Sequence, residues 1–320
     1  MTWLVWRRQR AALLLCAALL GGTALVLVAA RLLLTGAAAD LGVTACLTDR
    51  AADCTDDGRR YELYQSFRGF QGPARAWLWV LAPIVGMIAG AGLFAREFEQ
   101  RTQVFALTQA TSRTRWWATG IAVTLVPVLV AVAGLTLVGS WALAPFAMLY
   151  EHYRIEPVDF DLSGVLPVGY ALLAFAIAAA SGLLLRNSLA TIVVTVLGWT
   201  LVFFVVVYDR YDYLPASTIT TPLADTWQVW DTNTGPGTTP RDFGFLDAAG
   251  NRIDLTTFYR HCPVPTDMRV CAPTIGAVSV YRDYQPDSNY WPLQGITTAI
   301  MIVLSALTLA AGKLRLRRVV

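Results

Sequence analysis

Ionisable side chains are missing from the long apolar stretches of this sequence. Five runs contain no Asp, Glu, Lys or Arg, and a sixth run, 11–34, contains only Arg31 near its end. About 20 apolar residues in helical form span a bilayer, whereas barrel strands need about 10 residues in strict alternation. The missing charge therefore predicts six transmembrane helices and excludes a soluble fold. The five uncharged runs are 77–95, 118–150, 162–185, 187–208 and 288–312.

The same runs lack the side chains that chemistry inside a membrane requires. Their centres carry no Asp, Glu, His, Lys or Arg. They therefore lack the bases and metal ligands that a membrane protease or acyltransferase needs and the ionisable groups that a proton-coupled carrier needs. A phosphate-binding loop of the form Gly-x4-Gly-Lys-Ser/Thr is also absent, since Gly312-Lys313 is followed by Leu314. We therefore predict no catalytic residue and no nucleotide site in this chain.

Cysteine and histidine are scarce. Cys16 lies alone in the first span, and the other four cysteines form two closely spaced pairs in two predicted outer loops, which indicates two local disulfides in an oxidising exterior. Metal binding near His261 is the alternative, but two histidines and no ligand-spaced quartet give it little support, so no metal site is predicted. The candidate disulfide residues are Cys46, Cys54, Cys262 and Cys271.

The distribution of charge predicts the orientation of the chain. If both termini lie inside, the internal segments hold 12 basic and two acidic residues, and the external segments hold 13 basic and 20 acidic residues. These balances of +10 and −7 add up to the net charge of +3. Because basic residues favour the cytoplasmic side, we expect cytoplasmic termini. A cleaved signal peptide is the competing interpretation of the amino terminus, but its apolar core would span only about 7–15 residues.

The predicted fold is an all-α membrane protein with six transmembrane helices and a small, irregular, disulfide-containing exterior domain between the fifth and sixth spans. Proline and glycine are frequent in that domain. Because the 118–150 run is too long for one crossing and holds Pro127 and Pro145, its last third is expected to leave the bilayer or to lie at its surface. A re-entrant piece within the run is the alternative. The predicted segments are an interfacial helix (1–10), span 1 (11–35), an exterior loop (36–76), span 2 (77–95), a cytoplasmic loop (96–117), span 3 (118–142), an exterior loop (143–161), span 4 (162–185), span 5 (189–208), the exterior domain (209–289), span 6 (290–312) and a basic tail (313–320).

Two glycines of the second span are four residues apart. Gly86 and Gly90 would lie on one face of a helix and would let another helix backbone approach closely. The spacing favours helix packing, and a dedicated dimer contact is the alternative.

The internal segment between spans 2 and 3 holds the only internal carboxylates, Glu97 and Glu99. Apolar residues recur in it at helical spacing, so a short amphipathic helix can lie beneath the membrane. A carboxylate at this depth needs hydration or a partner. The candidate partners are basic groups on a docked subunit, or local arginines that would give the carboxylates a purely structural role. These arginines are Arg96, Arg101 and Arg113.

This segment resembles that of the type-2 ABC transporter permeases, the membrane subunits of bacterial ABC exporters. The resemblance rests on Glu-x-Glu followed by Thr, Leu and Ser-Arg after the second span, on Trp-Arg-Arg-Gln-Arg at 6–10 and on Tyr-Trp-Pro-Leu-Gln at 290–294. Two positions depart from the family pattern: Arg101 stands where Gly is frequent, and Gly120 or a neighbour stands where a Lys leads into the third span. The resemblance implies an ATPase-coupling role for Glu97, Glu99, Arg101, Thr102 and Arg113.

The resemblance also implies partners and a location. A cytosolic ABC ATPase would bind ATP and Mg, and the chain would pair with itself or with a related permease in the lipid of a bacterial inner membrane, with no nucleic acid involved. An amphipathic or hydrophobic substrate would move outward between the two halves. A non-transporting sensor or immunity protein, which would bind a ligand through the exterior domain, is the alternative hypothesis.

Overall fold

The computed structural model describes residues 2–48, 57–99, 112–150, 154–225, 239–262 and 267–316. The chain forms two compact units. The first comprises Met1–His152, Val158–Val207 and Gln294–Val320, and the second comprises Tyr153–Pro157 and Tyr208–Leu293. The helices are α1 (Thr2–Asp40), α2 (Asp57–Glu99), α3 (Arg113–Leu149), α4 (Pro157–Leu162), α5 (Leu166–Leu185), α6 (Ser188–Asp209), α7 (Leu255–His261), α8 (Met268–Cys271) and α9 (Tyr290–Leu316).

Six of these helices are long and apolar enough to cross a membrane, as the uncharged runs predict. They are α1, α2, α3, α5, α6 and α9. The turn between α5 and α6 consists of two residues, Arg186 and Asn187, so those helices form the tight hairpin that the short polar interruption requires.

The helices extend well beyond the predicted spans. Helix α1 is continuous from Thr2, so the described residues 2–10 belong to the same helix as span 1, and α2 begins at Asp57 inside the predicted exterior loop. Helix α3 runs through Pro145 to Leu149 instead of ending near residue 142. The 43 residues of α2 measure roughly 64 Å, more than a bilayer is thick. Hydropathy marks the part of a helix that contacts lipid, and it does not mark where the helix ends.

The extended parts of α1, α2 and α3 are held together by their own apolar cluster. Leu34, Leu63 and Phe146 are almost fully buried in it, and the ring of Phe67 meets that of Phe146 edge to face, with the centroids 5.8 Å apart. This packing explains why residues 57–76 form a helix although they carry many polar side chains.

Helix α5 is the central helix of the first unit. It packs along α2 and contacts α3, while α1 packs along α3. Gly169 of α5 faces Met301 of α9, and Ile177 of α5 faces Gly198 of α6. The sequence of α5 is rich in alanine and glycine, and small residues let neighbouring helices approach closely.

The second unit contains a four-stranded antiparallel sheet, so the prediction of an irregular segment at 209–289 was wrong. The strand order is β1-β4-β2-β3. Pro240 lies in β2 beside a register shift, where a missing amide hydrogen is tolerated. The frequent prolines therefore border or interrupt strands without abolishing them. The strands are β1 (Ser217–Pro222), β2 (Thr239–Asp247), β3 (Arg252–Ile253) and β4 (Ala277–Gln285).

The sheet has an apolar core of its own. Phe245 and Val280 are fully buried, and the ring of Phe258 in α7 packs against that of Phe245 with the centroids 4.8 Å apart. A disulfide joins Cys262, directly after α7, to Cys271 in α8. The described part of the second unit thus has a folded core cross-linked by this bond.

Candidate functional site

The predicted site lies where α2 ends and α3 begins. Glu99 is the last residue of α2, and Arg113 is the first residue of α3. Glu97 belongs to the last turn of α2. Arg101 and Thr102 lie outside the described residues.

The Glu99 carboxylate binds the first residue of another helix. Its Oε1 accepts a hydrogen bond from the Ser188 backbone N–H at 2.7 Å, and its Oε2 accepts one from the Ser188 hydroxyl at 2.8 Å. Ser188 begins α6, 89 residues further along the chain. The two bonds, here called the Glu99–Ser188 clasp, fasten the end of α2 to the start of α6.

The clasp is favourable because a helix start offers unpaired N–H groups. The first N–H groups of a helix have no acceptor within it, and its positive end attracts a carboxylate. The bonds from the Ser188 N–H and hydroxyl, together with the nearby charge of Arg96, lower the pKa of Glu99. The carboxylate therefore stays ionised below the pH at which glutamate normally takes up a proton.

The α5–α6 turn holds Ser188 in position for this contact. Arg186 adopts a left-handed conformation with φ of 52°, which ends α5, and its N–H donates to the Gly182 carbonyl. The Asn187 Oδ1 accepts from the Ala190 N–H at 2.8 Å, which caps α6. Because the turn is so short, any displacement of Ser188 also displaces the end of α5.

The start of α3 is fixed against the end of α2. The Ser112 Oγ accepts a hydrogen bond from the Arg115 N–H at 3.3 Å and caps α3. The rings of Phe94 and Trp116, both nearly fully buried, lie with their centroids 5.1 Å apart. The segment 100–111 thus connects two helix ends that are held side by side.

Gly86 and Gly90 lie in the interface between α2 and α5. A Cβ atom at position 86 would lie 2.1 Å from the Ala171 carbonyl oxygen, and one at position 90 would lie 2.6 Å from the Phe175 carbonyl oxygen. Only glycine permits this backbone approach. The structure therefore uses both glycines for packing within one chain.

A family model described as ABC-2 membrane transporter related matches residues 17–210. The chain belongs to this family. The match covers α2, α3 and the α5–α6 turn, and therefore the whole Glu99–Ser188 clasp. Comparisons with curated proteins and with solved structures found no match.

The chain is thus an ABC-2 type permease, as the resemblance of the segment after the second span implied. It is a multi-pass transmembrane subunit of a transporter and is not itself catalytic. Within the described ranges, no group of three or more His, Cys, Asp or Glu residues could hold a metal ion. Of the four predicted disulfide residues, Cys262 and Cys271 are joined, and Cys54 lies outside those ranges.

Two glutamines of the permease make contacts that the sequence reasoning missed. The fully buried Gln294 of α9 accepts from the N–H groups of Val165 and Leu166, and it donates to the carbonyls of Phe160 and Ser163. Gln9 of α1 donates to the Gly92 carbonyl at 3.1 Å. Both glutamines lie in the stretches on which the resemblance rests. Gln294 also lies in an otherwise apolar run, where an amide is itself a signal for a buried contact.

A buried carboxylate near the start of α5 was also missed. The Asp161 Oδ1 accepts from the Tyr170 hydroxyl at 2.7 Å, and its Oδ2 accepts from the Trp79 indole N–H at 3.3 Å. These bonds compensate for the burial of the charge. They also tie α4 to α2 and α5 in the permease.

The permease contains a cavity of about 490 Å³ between α1 and α2. Its lining is mainly apolar, and the hydroxyl of Thr23 in its wall accepts a hydrogen bond from the Trp77 indole N–H at 2.9 Å. Gly22 and Gly69 also line it, and among the described residues no neighbouring helix has an atom within 4 Å of where either Cβ would lie. A cavity of this size and lining suits an apolar guest.

Proposed function

We propose that this permease is the membrane subunit of an ATP-driven exporter in a bacterial inner membrane. Its termini and the 96–117 segment face the cytosol, and the 209–289 segment faces the exterior. A separate ABC ATPase supplies ATP and Mg, because this sequence has no phosphate-binding loop. Two such permease units, identical or related, enclose the substrate route.

The observation that carries this proposal is the fixed geometry around segment 100–111 within a chain of this family. Its two ends are held by the Phe94–Trp116 contact and by the Glu99–Ser188 clasp. A segment bound by an ATPase at this place would pass force directly to α2 and α3. Glu97, Arg101, Thr102 and Arg113 are the proposed contacts with the ATPase.

The proposed substrate is an amphipathic or hydrophobic molecule that moves outward. The apolar cavity between α1 and α2 supports this class, because it offers room for a hydrocarbon chain and few polar groups. An ion or a sugar would lose its bound water there and would find few polar groups to replace it.

Co-purification with the ATPase encoded nearest to this chain tests the proposal. We expect the tagged full-length chain to retain that ATPase and, in proteoliposomes, to export a fluorescent long-chain amphiphile only with ATP. The Glu97→Ala variant should retain less ATPase than the wild type. Glu62→Ala is the matched control, because Glu62 is an exposed carboxylate at the opposite end of α2. Equal retention of the ATPase by both variants would contradict the assignment of Glu97.

A non-transporting sensor is the second candidate, since the 208–293 unit has a folded core and could present a binding surface. A sensor would retain no ATPase in the same experiment. It would also leave the distribution of the amphiphile independent of ATP.

A further inference from the structure

The Glu99 carboxylate already has a partner within the chain. Both of its oxygens are already bound to Ser188, at 2.7 and 2.8 Å, and the bond to the backbone N–H satisfies a group that α6 cannot satisfy itself. Bonds to an ionised carboxylate are about twice as strong as neutral ones. The clasp therefore gives Glu99 a role within the chain that needs no contact with the ATPase.

The helix at the other side of the clasp has few residues buried within this chain. Helix α6 buries few of its 22 residues, namely Thr191, Thr195, Phe203 and Val206. Towards its other end, the ring of Phe203 packs against those of Trp79 in α2, Tyr170 in α5 and Trp199, with centroids 5.0 to 5.6 Å apart. Helix α6 is therefore fixed at its start by Glu99 and near its far end by an aromatic cluster.

We propose that Glu99 is a positioning residue, which transmits displacement of segment 100–111 to α6 and does not contact the ATPase. This inference rests on the proposed function, in which the ATPase binds that segment. When the end of α2 moves, the clasp moves the start of α6, and the aromatic cluster serves as the pivot. Since α6 has few other buried contacts, a small displacement at Ser188 can tilt it.

The structure offers variants that break the clasp and keep the helices. Glu99→Gln keeps the size of the side chain and removes its charge and one acceptor oxygen. Ser188→Pro removes the N–H and the hydroxyl together, and proline is well tolerated at the first position of a helix. Asn187→Ala is the matched control: it removes the bond to Ala190 that caps the same helix, and it leaves the contact between α2 and α6 intact.

The experiment compares ATPase retention with transport per ATP hydrolysed in proteoliposomes, using the fluorescent amphiphile as probe. We expect Glu99→Gln and Ser188→Pro to retain the ATPase like the wild type, while transport per ATP falls about fivefold or more, the lower limit of typical coupling effects. The double variant should be no worse than either single variant, because both break one contact. Asn187→Ala should keep the wild-type ratio.

Two results would overturn the inference alone. One is loss of ATPase retention in Glu99→Gln but not in Ser188→Pro, which would make Glu99 a docking contact. The other is a wild-type transport ratio in both variants. A wild-type chain that retains no ATPase would instead overturn the proposed function, and this inference with it.

Discussion

Replacement of Gly86 by alanine tests how closely α2 and α5 must approach. The new methyl carbon would lie 2.1 Å from the Ala171 carbonyl oxygen and 2.9 Å from its carbonyl carbon. Both are backbone atoms, so no side-chain rotation relieves the overlap. Carbon–oxygen contacts normally lie at about 3.3 Å or more, and the two helices must therefore separate by roughly 1 Å.

The cost of this separation spreads along the whole interface. Gly90 makes a similar approach to Phe175, and a Cβ at Gly182 would lie 3.2 Å from the Ala95 nitrogen. A gap of 0.5–1 Å forfeits about a quarter to a half of the dispersion energy of each contact. We expect a destabilisation of about 3 kcal/mol, the upper end for overpacked cores. This corresponds to a melting temperature lower by roughly 6 °C.

Thermal unfolding of the full chain in detergent, followed by tryptophan fluorescence, measures this change. Gly134→Ala is the control, because in the part of the chain that the structure describes no other helix has an atom within 4 Å of a Cβ at Gly134 in α3. It should shift the stability by less than about 1 kcal/mol. If Gly86→Ala melted at the same temperature as Gly134→Ala, the close approach of α2 and α5 would be refuted.

Two further predictions concern polar contacts. Gln294→Leu should lower the melting temperature, since it strands two N–H groups and two carbonyls near the start of α5 at a cost of about 2 kcal/mol or more; an unchanged melting temperature would contradict this. Hydrogen bonds from the Thr257 and Thr256 hydroxyls and the Thr257 N–H lower the pKa of Asp254 from 3.8 to about 2. The stabilisation of α7 by this cap is therefore full above pH 3.8 and is lost as the pH falls towards 2. Amide exchange of α7 should show this loss, and the Asp254→Asn variant should depend less on pH than the wild type. An identical pH profile in the two proteins would refute the role of Asp254.

The number and position of the membrane helices could be predicted because the bilayer excludes charge from long runs. The ends of the helices could not, since residues 57–76 form part of α2 by packing on α1 and α3 and not by hydropathy. The sheet was missed because strands such as β2 include proline and a register shift. Their pairing with β4 depends on contacts between distant residues, which local patterns do not reveal.

The sequence predicted where the candidate site lies but not which contacts its residues make. The scarcity of internal carboxylates singles out Glu97 and Glu99, and the candidate partners were nearby arginines or basic groups on a docked subunit. The structure adds a hydrogen-bond partner for Glu99 that lies far away in sequence, Ser188. The N–H groups at the start of a helix stabilise a carboxylate, as an arginine does. Only the fold brings the start of α6 to Glu99.

The described contacts of the permease join α2, α5 and α6 directly, and the cavity lies beside α2. Helices α2 and α5 are joined by the glycine interface, and α6 is joined to both by the short turn and by the clasp. Helix α1 packs along α3, and it faces α2 across the 490 Å³ cavity. We therefore expect force on segment 100–111 to change the cavity, since Gly69 and Leu78 of α2 form part of one wall and Leu27 of α1 part of the other.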